Sequence, residues 1–210
     1  MMTGALILLR HGQSTWNAQN LFTGIRDPDL TARGIEEARQ AGKALRQRDI
    51  IPDFWFTSAL QRAYHTLDHV LLEMGIADLT ITRSSRLNER DYGELSGLDK
   101  DDARKRWGDA QVHIWRRSFD VVPPGGESLE DTANRVLPWY DSHAAPLLQQ
   151  GKTVLIAAHG NSLRGLIMKL ETLDRDAIVG REIATGVPMI YRIGASGDML
   201  SMEELRPDLR

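Results

Sequence analysis

Apolar residues in this chain fall into short continuous runs and longer runs that recur every three to four positions. Ala5-Leu6-Ile7-Leu8-Leu9 is continuous, which predicts a strand buried on both faces, and Thr153 to Ala157 predicts a second. Asp53 to Thr57 reads as a short aromatic strand, Leu79 to Thr82 as another, and Val187 to Ile193 as the strand that closes the sheet. Helical spacing runs from Thr31 to Arg48, with Thr31 as cap and Ile35, Ala38, Ala41, Gly42 and Leu45 facing inward. Ser58 is read as the N-cap of a helix from Ala59 to about Met74, ended by Gly75. Ser128 with Asp131 has the form of a capping box opening a helix to about Gln150, kinked at Pro138. A last helix spans about Ser162 to Leu170. This alternation predicts an α/β three-layer sandwich, a mainly parallel central sheet flanked by helices.

Arg83 to Gly126 breaks the pattern. It holds seven residues of Gly or Pro among many charges, with one or two short helices around Asp101 to Arg117. A long irregular stretch inside a compact unit is usually functional or disordered, so residues 83–126 are expected to form a lid. The tail from about residue 195 is polar and is expected to be mobile. The 210 residues are expected to form a single domain.

Composition removes several function classes. The formal net charge is −3, against the basic surface of a nucleic-acid-binding domain. There are no cysteines, so disulfides, thiolate catalysis and thiolate-ligated metal are excluded. No run approaches the roughly eighteen apolar residues of a membrane span, and Met1 to Arg10 does not read as a secretion signal. The expectation is a soluble, cytoplasmic protein.

His11 and His159 each stand just past the C-terminal end of a predicted buried strand, and each is followed by Gly. Ligands of open α/β sheets bind in the crevice at those ends, where helix N-termini favour anions. Arg10 precedes His11, and Arg62 falls in the first turn of the helix after Ser58. Two imidazoles and two guanidiniums on one spot describe a site for a dianion, because guanidinium grips phosphate oxygens in a planar fork. Imidazole is also a nucleophile toward phosphorus, and a covalent intermediate splits one difficult step into two. Such chemistry needs a proton donor for the leaving oxygen; Glu89 is the candidate.

Each piece has a plainer reading. Arg-His-Gly alone can be a turn, His159 a satisfied core histidine, Glu89-Arg90 a solvated pair and Arg62 a surface charge. It is their conjunction that favours a site. His65 and His69 have a spacing that can hold zinc, but the run lacks the glutamate of the metalloprotease motif. His113 and His143 are read as structural or surface residues, and Trp16, Trp55, Trp107, Trp115 and Trp139 as core or lid packing.

The run Leu8-Leu9-Arg10-His11-Gly12-Gln13-Ser14-Thr15-Trp16-Asn17 resembles the phosphohistidine motif of the histidine phosphatase superfamily. Phe22-Thr23-Gly24, Leu87 to Gly93, Trp115-Arg116-Arg117, Ala157 to Arg164 and Thr185-Gly186-Val187-Pro188 are similar to its 2,3-bisphosphoglycerate-dependent phosphoglycerate mutase branch. The resemblance implies the fold of that family and an isomerase of glycolysis and gluconeogenesis that interconverts 3-phosphoglycerate and 2-phosphoglycerate. It implies phosphorylation of His11 by 2,3-bisphosphoglycerate, proton transfer by Glu89, and stabilisation of the moving group by His159, Arg10 and Arg62. Ser14, Asn17, Gly160 and Asn161 would line the same pocket. Thr23, Gly24, Arg90, Tyr92, Lys100, Arg116 and Arg117 would hold the carboxylate and second phosphate. It implies no metal, small phosphoglycerates as partners rather than nucleic acid or membrane, and it allows a homo-oligomer, dimer or tetramer.

Two features depart from the family pattern. Gln13 stands where glutamate is common, and the connection after Arg117 is short, passing quickly through Pro123-Pro124-Gly125-Gly126. A phosphomonoesterase with the same first step, or a phospholigand-binding module without catalysis, are the competing readings. Lys100, Arg116 and Arg117 argue against the first. His11, His159 and Glu89 together argue against the second.

Overall fold

The computed structural model describes residues 3–77 and 79–206. In chain order it contains β1 (Gly4–Arg10), α1 (Thr15–Ala18), α2 (Ala32–Gln47), β2 (Phe54–Ser58), α3 (Gln61–Met74) and β3 (Ile81–Ser84). Then come α4 (Lys100–Trp107), α5 (Asp109–Arg117), α6 (Leu129–His143), α7 (Ala145–Gln149), β4 (Thr153–Ala158), α8 (Gly160–Leu170), α9 (Arg175–Gly180), β5 (Pro188–Ile193) and β6 (Met199–Glu204). The six strands form one sheet in the order β3-β2-β4-β1-β5-β6. β3, β2, β4 and β1 run parallel, and β5 and β6 add an antiparallel edge.

Alternation along the strands divides the core. Ile7, Leu9, Leu155, Ala157 and Ile190 pack with α2 and α3 residues such as Ala41, Leu45, Leu67 and Val70. Leu6, Leu8, Val154, Ile156 and Tyr191 pack the other way, with Val136, Trp139, Leu163 and Ile167 of α6 and α8. Burial on both faces is why β1 and β4 read as unbroken apolar runs. The helix layers on both sides make the expected sandwich. Among the described residues no helix is long and apolar enough to cross a membrane.

Four local expectations need correction. Ser58 does not cap α3: the helix starts at Gln61, its N-cap is Leu60, and no side chain caps it. Ser58 ends β2 instead. The long helix does not reach Gln150 as one element, although no break falls at Pro138. α6 runs through it to His143, and the chain re-enters α7 past Ala144 with Pro146 in the first turn, where a missing N–H costs no hydrogen bond. The segment after Gly194 is not a loose tail, because β6 pairs with β5 from Met189↔Glu204 to Ile193↔Met199. The third strand lies at Ile81–Ser84, later than its apolar residues suggested. The last four positions of the expected tail, 207–210, lie outside the described residues.

Residues 83–126 leave the sheet at the end of β3. Two 3-10 turns, Ser85–Leu87 and Gly93–Leu95, lead into α4 and α5. A small cluster of Phe22, Leu95, Ala103, Val112 and Trp115 holds these helices down. Gly93 has φ +54, and a Cβ there would stand 2.1 Å from the Pro124 carbonyl oxygen, so the bend that closes this segment admits no side chain.

Candidate active site

The site grows from the register of two neighbouring strands. β1 and β4 pair in parallel up to Arg10↔Ala158, and the His11 N–H donates to the Ala158 carbonyl at 3.0 Å. His11 and His159 therefore leave the sheet side by side, with ring centroids 5.0 Å apart, close to the ~4.8 Å between strands. Gly12 follows at once. A Cβ on Gly12 would sit 2.2 Å from the Gly34 carbonyl oxygen, so the turn after His11 packs backbone on backbone against α2. The Gly12 N–H donates to Thr66 Oγ1 at 3.0 Å, whose hydroxyl donates to the Arg62 carbonyl at 2.6 Å, tying this turn to α3.

His11 Nδ1 lies 2.7 Å from the Gly12 carbonyl oxygen. A carbonyl can only accept, so Nδ1 carries the hydrogen and the neutral ring keeps its lone pair on Nε2. Burial, then the Arg62 and Arg10 guanidiniums, hold the His11 pKa well below 6.5. The neutral, nucleophilic form is thus the resting form near pH 7. His159 is held low by burial first and by the same two arginines. Its Nε2 lies 2.7 Å from Ser58 Oγ, so the serine expected to cap a helix instead orients the second imidazole.

Arg62 is 1% exposed. Its Nη1 and Nη2 donate to the carbonyls of Arg26 and Gly24 at 2.7 and 2.9 Å, while Nε has no partner among the described residues. Burial lowers its pKa to about 10, and it remains charged at neutral pH. Arg10 Nη1 donates to the Ile183 carbonyl at 2.7 Å, and its buried Nε is likewise without a partner. Buried guanidinium N–H groups left unpaired are costly unless something anionic meets them.

Glu89 lies in the segment after β3. Its Oε1 accepts from the backbone N–H groups of Arg90 and Asn161, at 2.8 and 3.0 Å. Arg135 of α6 donates to the Glu89 carbonyl at 3.0 Å and pairs with Glu127 at 2.9 Å, which fixes the loop.

A cavity of about 180 Å³ opens over these groups, smaller than the ~300–1,000 Å³ of drug-sized pockets. Its wall includes Arg10, His11, Asn17, Thr23, Gly24, Arg62, Glu89, Tyr92, Lys100, Arg116, Arg117, Gly160 and Asn161, so most of the expected site converges. Three expected residues stand behind the wall. His159 backs His11. Ser14 is fully buried and caps α1, with its Oγ accepting from the Asn17 N–H at 3.2 Å. Arg90 is fully buried, donates to the Trp115 carbonyl at 2.9 Å and lies over the Tyr92 ring, while its Nε and Nη1 have no partner among the described residues. Arg117 reaches the cavity but is engaged: Nη2 meets Glu182 Oε1 at 2.7 Å and Nη1 the Val179 carbonyl at 3.1 Å. Sequence reasoning missed Arg164 and Glu182, which also line the wall. Arg164 closes the His159 run, one helical turn after Gly160, and that spacing could have revealed it. No local signal marks Glu182. Gln13 is not on this wall; its Oε1 accepts from the Thr31 hydroxyl at 3.0 Å. His65 is engaged with Asp29 at 2.7 Å, and among the described residues no three His, Cys, Asp or Glu groups gather to hold a metal ion.

An imidazole nucleophile at a parallel strand end, a second imidazole behind it and flanking guanidiniums define a phosphohistidine type of site. The family model described as Histidine phosphatase superfamily (branch 1) matches residues 6–201, and the chain belongs to that superfamily. Within it, the chain is 55% identical over 205 residues to the 2,3-bisphosphoglycerate-dependent phosphoglycerate mutase of Beijerinckia indica subsp. indica, covering 98% of this chain and 99% of the relative. It is 56% identical over 204 residues to the enzyme of the same name from Rhizobium rhizogenes, covering 97% of each. Such coverage shows that the chain is of nearly the same length as these relatives. Among solved structures, a mycobacterial glucosyl-3-phosphoglycerate phosphatase in complex with VO3 superposes with a TM-score of 0.76 at 26% identity, covering 89% of this chain and 92% of that one.

Proposed function

We propose that this protein is a 2,3-bisphosphoglycerate-dependent phosphoglycerate mutase, interconverting 3-phosphoglycerate and 2-phosphoglycerate in glycolysis and gluconeogenesis. The observation that carries this reading is a single small cavity with two cationic groupings. Arg10 and Arg62 act on the charge of the nucleophile, and Lys100 and Arg116 line the same wall. A phosphatase needs the first grouping. Retaining a doubly anionic glycerate as phosphoryl acceptor needs both.

In the proposed reaction, Nε2 of neutral His11 attacks phosphorus, and the bond from phosphorus to the leaving oxygen breaks. Glu89 gives that oxygen a proton, and later takes one from the hydroxyl that receives the phosphoryl group back from His11. Arg10, Arg62 and His159 neutralise the equatorial oxygens, and Gly160 and Asn161 border them. Tyr92, Lys100 and Arg116, with Thr23 and Gly24, hold the carboxylate and the other phosphate, and Arg117, paired with Glu182, adds its charge beside them. Asn17 lines the floor. Ser14 and Arg90 act through their neighbours, holding α1 and Tyr92. 2,3-Bisphosphoglycerate supplies the phosphoryl group that primes His11. The unpartnered Nε atoms of Arg10 and Arg62 and the excess of cations suit so anionic a molecule. The chemistry as written calls on no metal. The chain acts as one cytoplasmic domain, with 83–126 as lid.

A phosphatase reading is favoured by one observation, the likeness to the mycobacterial phosphatase. Conversion of 3-phosphoglycerate to 2-phosphoglycerate in excess EDTA, with and without catalytic bisphosphate and with free phosphate followed in parallel, separates the two. Isomerisation stimulated by the bisphosphate supports the mutase. Steady phosphate release without isomerisation would replace it with the phosphatase.

A further inference from the structure

Arg164 carries no role in the scheme above, yet it lines the same cavity. Its Nε donates to the Arg181 carbonyl at 3.0 Å and Nη1 to Asn161 Oδ1 at 3.3 Å. Among the described residues, Nη2 has no hydrogen-bond partner, so the fork is oriented with one tine free. A Cβ built on Gly160 would lie 3.6 Å from Arg164 Nη1, 3.7 Å from Glu89 Oε2 and 3.8 Å from Arg10 Cζ. The two guanidiniums and Glu89 Oε2 therefore converge over Gly160.

The cations on the rim are fewer than the sequence suggested. Arg90 is buried behind the wall, and Arg117 is occupied by Glu182 and the Val179 carbonyl. Lys100 and Arg116 remain, on α4 and α5. Arg164 differs from both in its mounting: α8 follows directly from β4 and buries Leu163, Leu166 and Ile167 in the main core. A cation there stays in place whatever the lid does. Burial and then the charges of Glu89, Tyr92, Arg117 and Arg10 act on Arg164, whereas burial and then Arg62 and Arg10 act on His11.

We propose that Arg164 is a further substrate-binding residue, whose free Nη2 takes the anionic group of the glycerate that is not being transferred and holds it beside Glu89. This rests on the mutase reading. A glycerate anchored on α8 is kept from water while the lid loosens, so Arg164 favours return of the phosphoryl group to the glycerate over hydrolysis.

The test is calorimetric binding of 3-phosphoglycerate and of inorganic phosphate to the wild type, Arg164→Met and Arg164→Lys. Arg164→Met is expected to weaken 3-phosphoglycerate about tenfold or more, as for loss of a charge-assisted hydrogen bond, and phosphate by less than about threefold. Arg164→Lys keeps the charge but loses the fork and is expected to fall between; it also serves if Arg164→Met does not fold. Equal weakening of both ligands would make Arg164 a prop for Asn161 and overturn the proposal, as would no weakening of either. A wild type that binds 3-phosphoglycerate no better than phosphate would overturn the glycerate reading itself. A wild-type preference that survives in both variants would overturn the assignment of Arg164 alone.

Discussion

The floor and the rim of the cavity are built differently. His11, His159 and Arg62 are at most 3% exposed, and they sit on strand ends and helix starts anchored in the two large cores. Lys100 and Arg116 are half-buried, on helices held by a five-residue cluster. Few buried apolar contacts mean a low free energy of local opening, so the rim is the part that can move. Rigid donors suit a transition state whose charge must be met without reorganisation, and a movable rim suits admission and turning of a substrate. On the proposed reading the difference separates activity from selectivity: phosphoryl transfer depends on the floor, and the choice between glycerate and water as acceptor depends on the rim together with Arg164.

Breaking the floor should have the largest effect. His11→Ala is expected to reduce turnover to background, on the order of 10⁵-fold or more, and to remove acid-labile phosphate from the labelled protein; labelling that survives would place the nucleophile elsewhere. Arg62→Ala should cost on the order of 10²–10³ in kcat, as for one preorganised donor, and a near-normal rate would separate Arg62 from the reacting group. Breaking the rim should change the ratio of activities. Arg116→Ala with Arg117→Ala is expected to lower mutase turnover about tenfold more than phosphate release, and an equal loss of both would dissolve the distinction between rim and floor.

Acid gives a further test of the floor. In the unfolded chain a histidine titrates near 6.5, whereas burial and the two arginines hold His11 and His159 well below that value. Between the two values the unfolded chain binds protons that the folded one refuses. Their contribution to stability is therefore complete above about pH 6.5 and lost as pH falls toward the folded values. Denaturant unfolding at pH 7.5 and 5.5 should show the lower stability at 5.5, and NMR titration should place both midpoints below 6.5. The smallest effect is expected from Gln13→Glu. That side chain bonds to Thr31 at the start of α2 and does not line the cavity. A carboxylate there gains from the helix N-terminus but faces Glu37, which accepts from the Gln13 N–H at 2.8 Å. Steady-state kinetics should show kcat/KM altered by less than about threefold.

The floor was legible in the sequence because local rules determine it. Continuous apolar runs locate β1 and β4, and the histidines follow directly from their ends. The cap at Thr31 and the capping box at Ser128 and Asp131 were also readable. Ser58 misled because a serine after a strand satisfies the capping rule equally well, and only the neighbouring strand shows that its partner is His159. The break at Ala144 escaped because a proline in mid-helix signals a kink more loudly than one in a first turn. β6 is exposed at most positions and mixes apolar with polar residues, so no continuous apolar run betrayed it. Across the rim, composition supplied the cations but not their partners. That Arg90 is bonded to the Trp115 carbonyl, or that Glu182 occupies Arg117, depends on contacts 25 and 65 residues apart along the chain.

The most direct measurement follows one phosphoryl group. Protein labelled from ³²P-bisphosphate, freed of excess donor and mixed rapidly with 3-phosphoglycerate, should pass the label to glycerate phosphates faster than to water. Label appearing solely as inorganic phosphate, at a rate indifferent to 3-phosphoglycerate, would contradict the account and leave the rim without its assigned function.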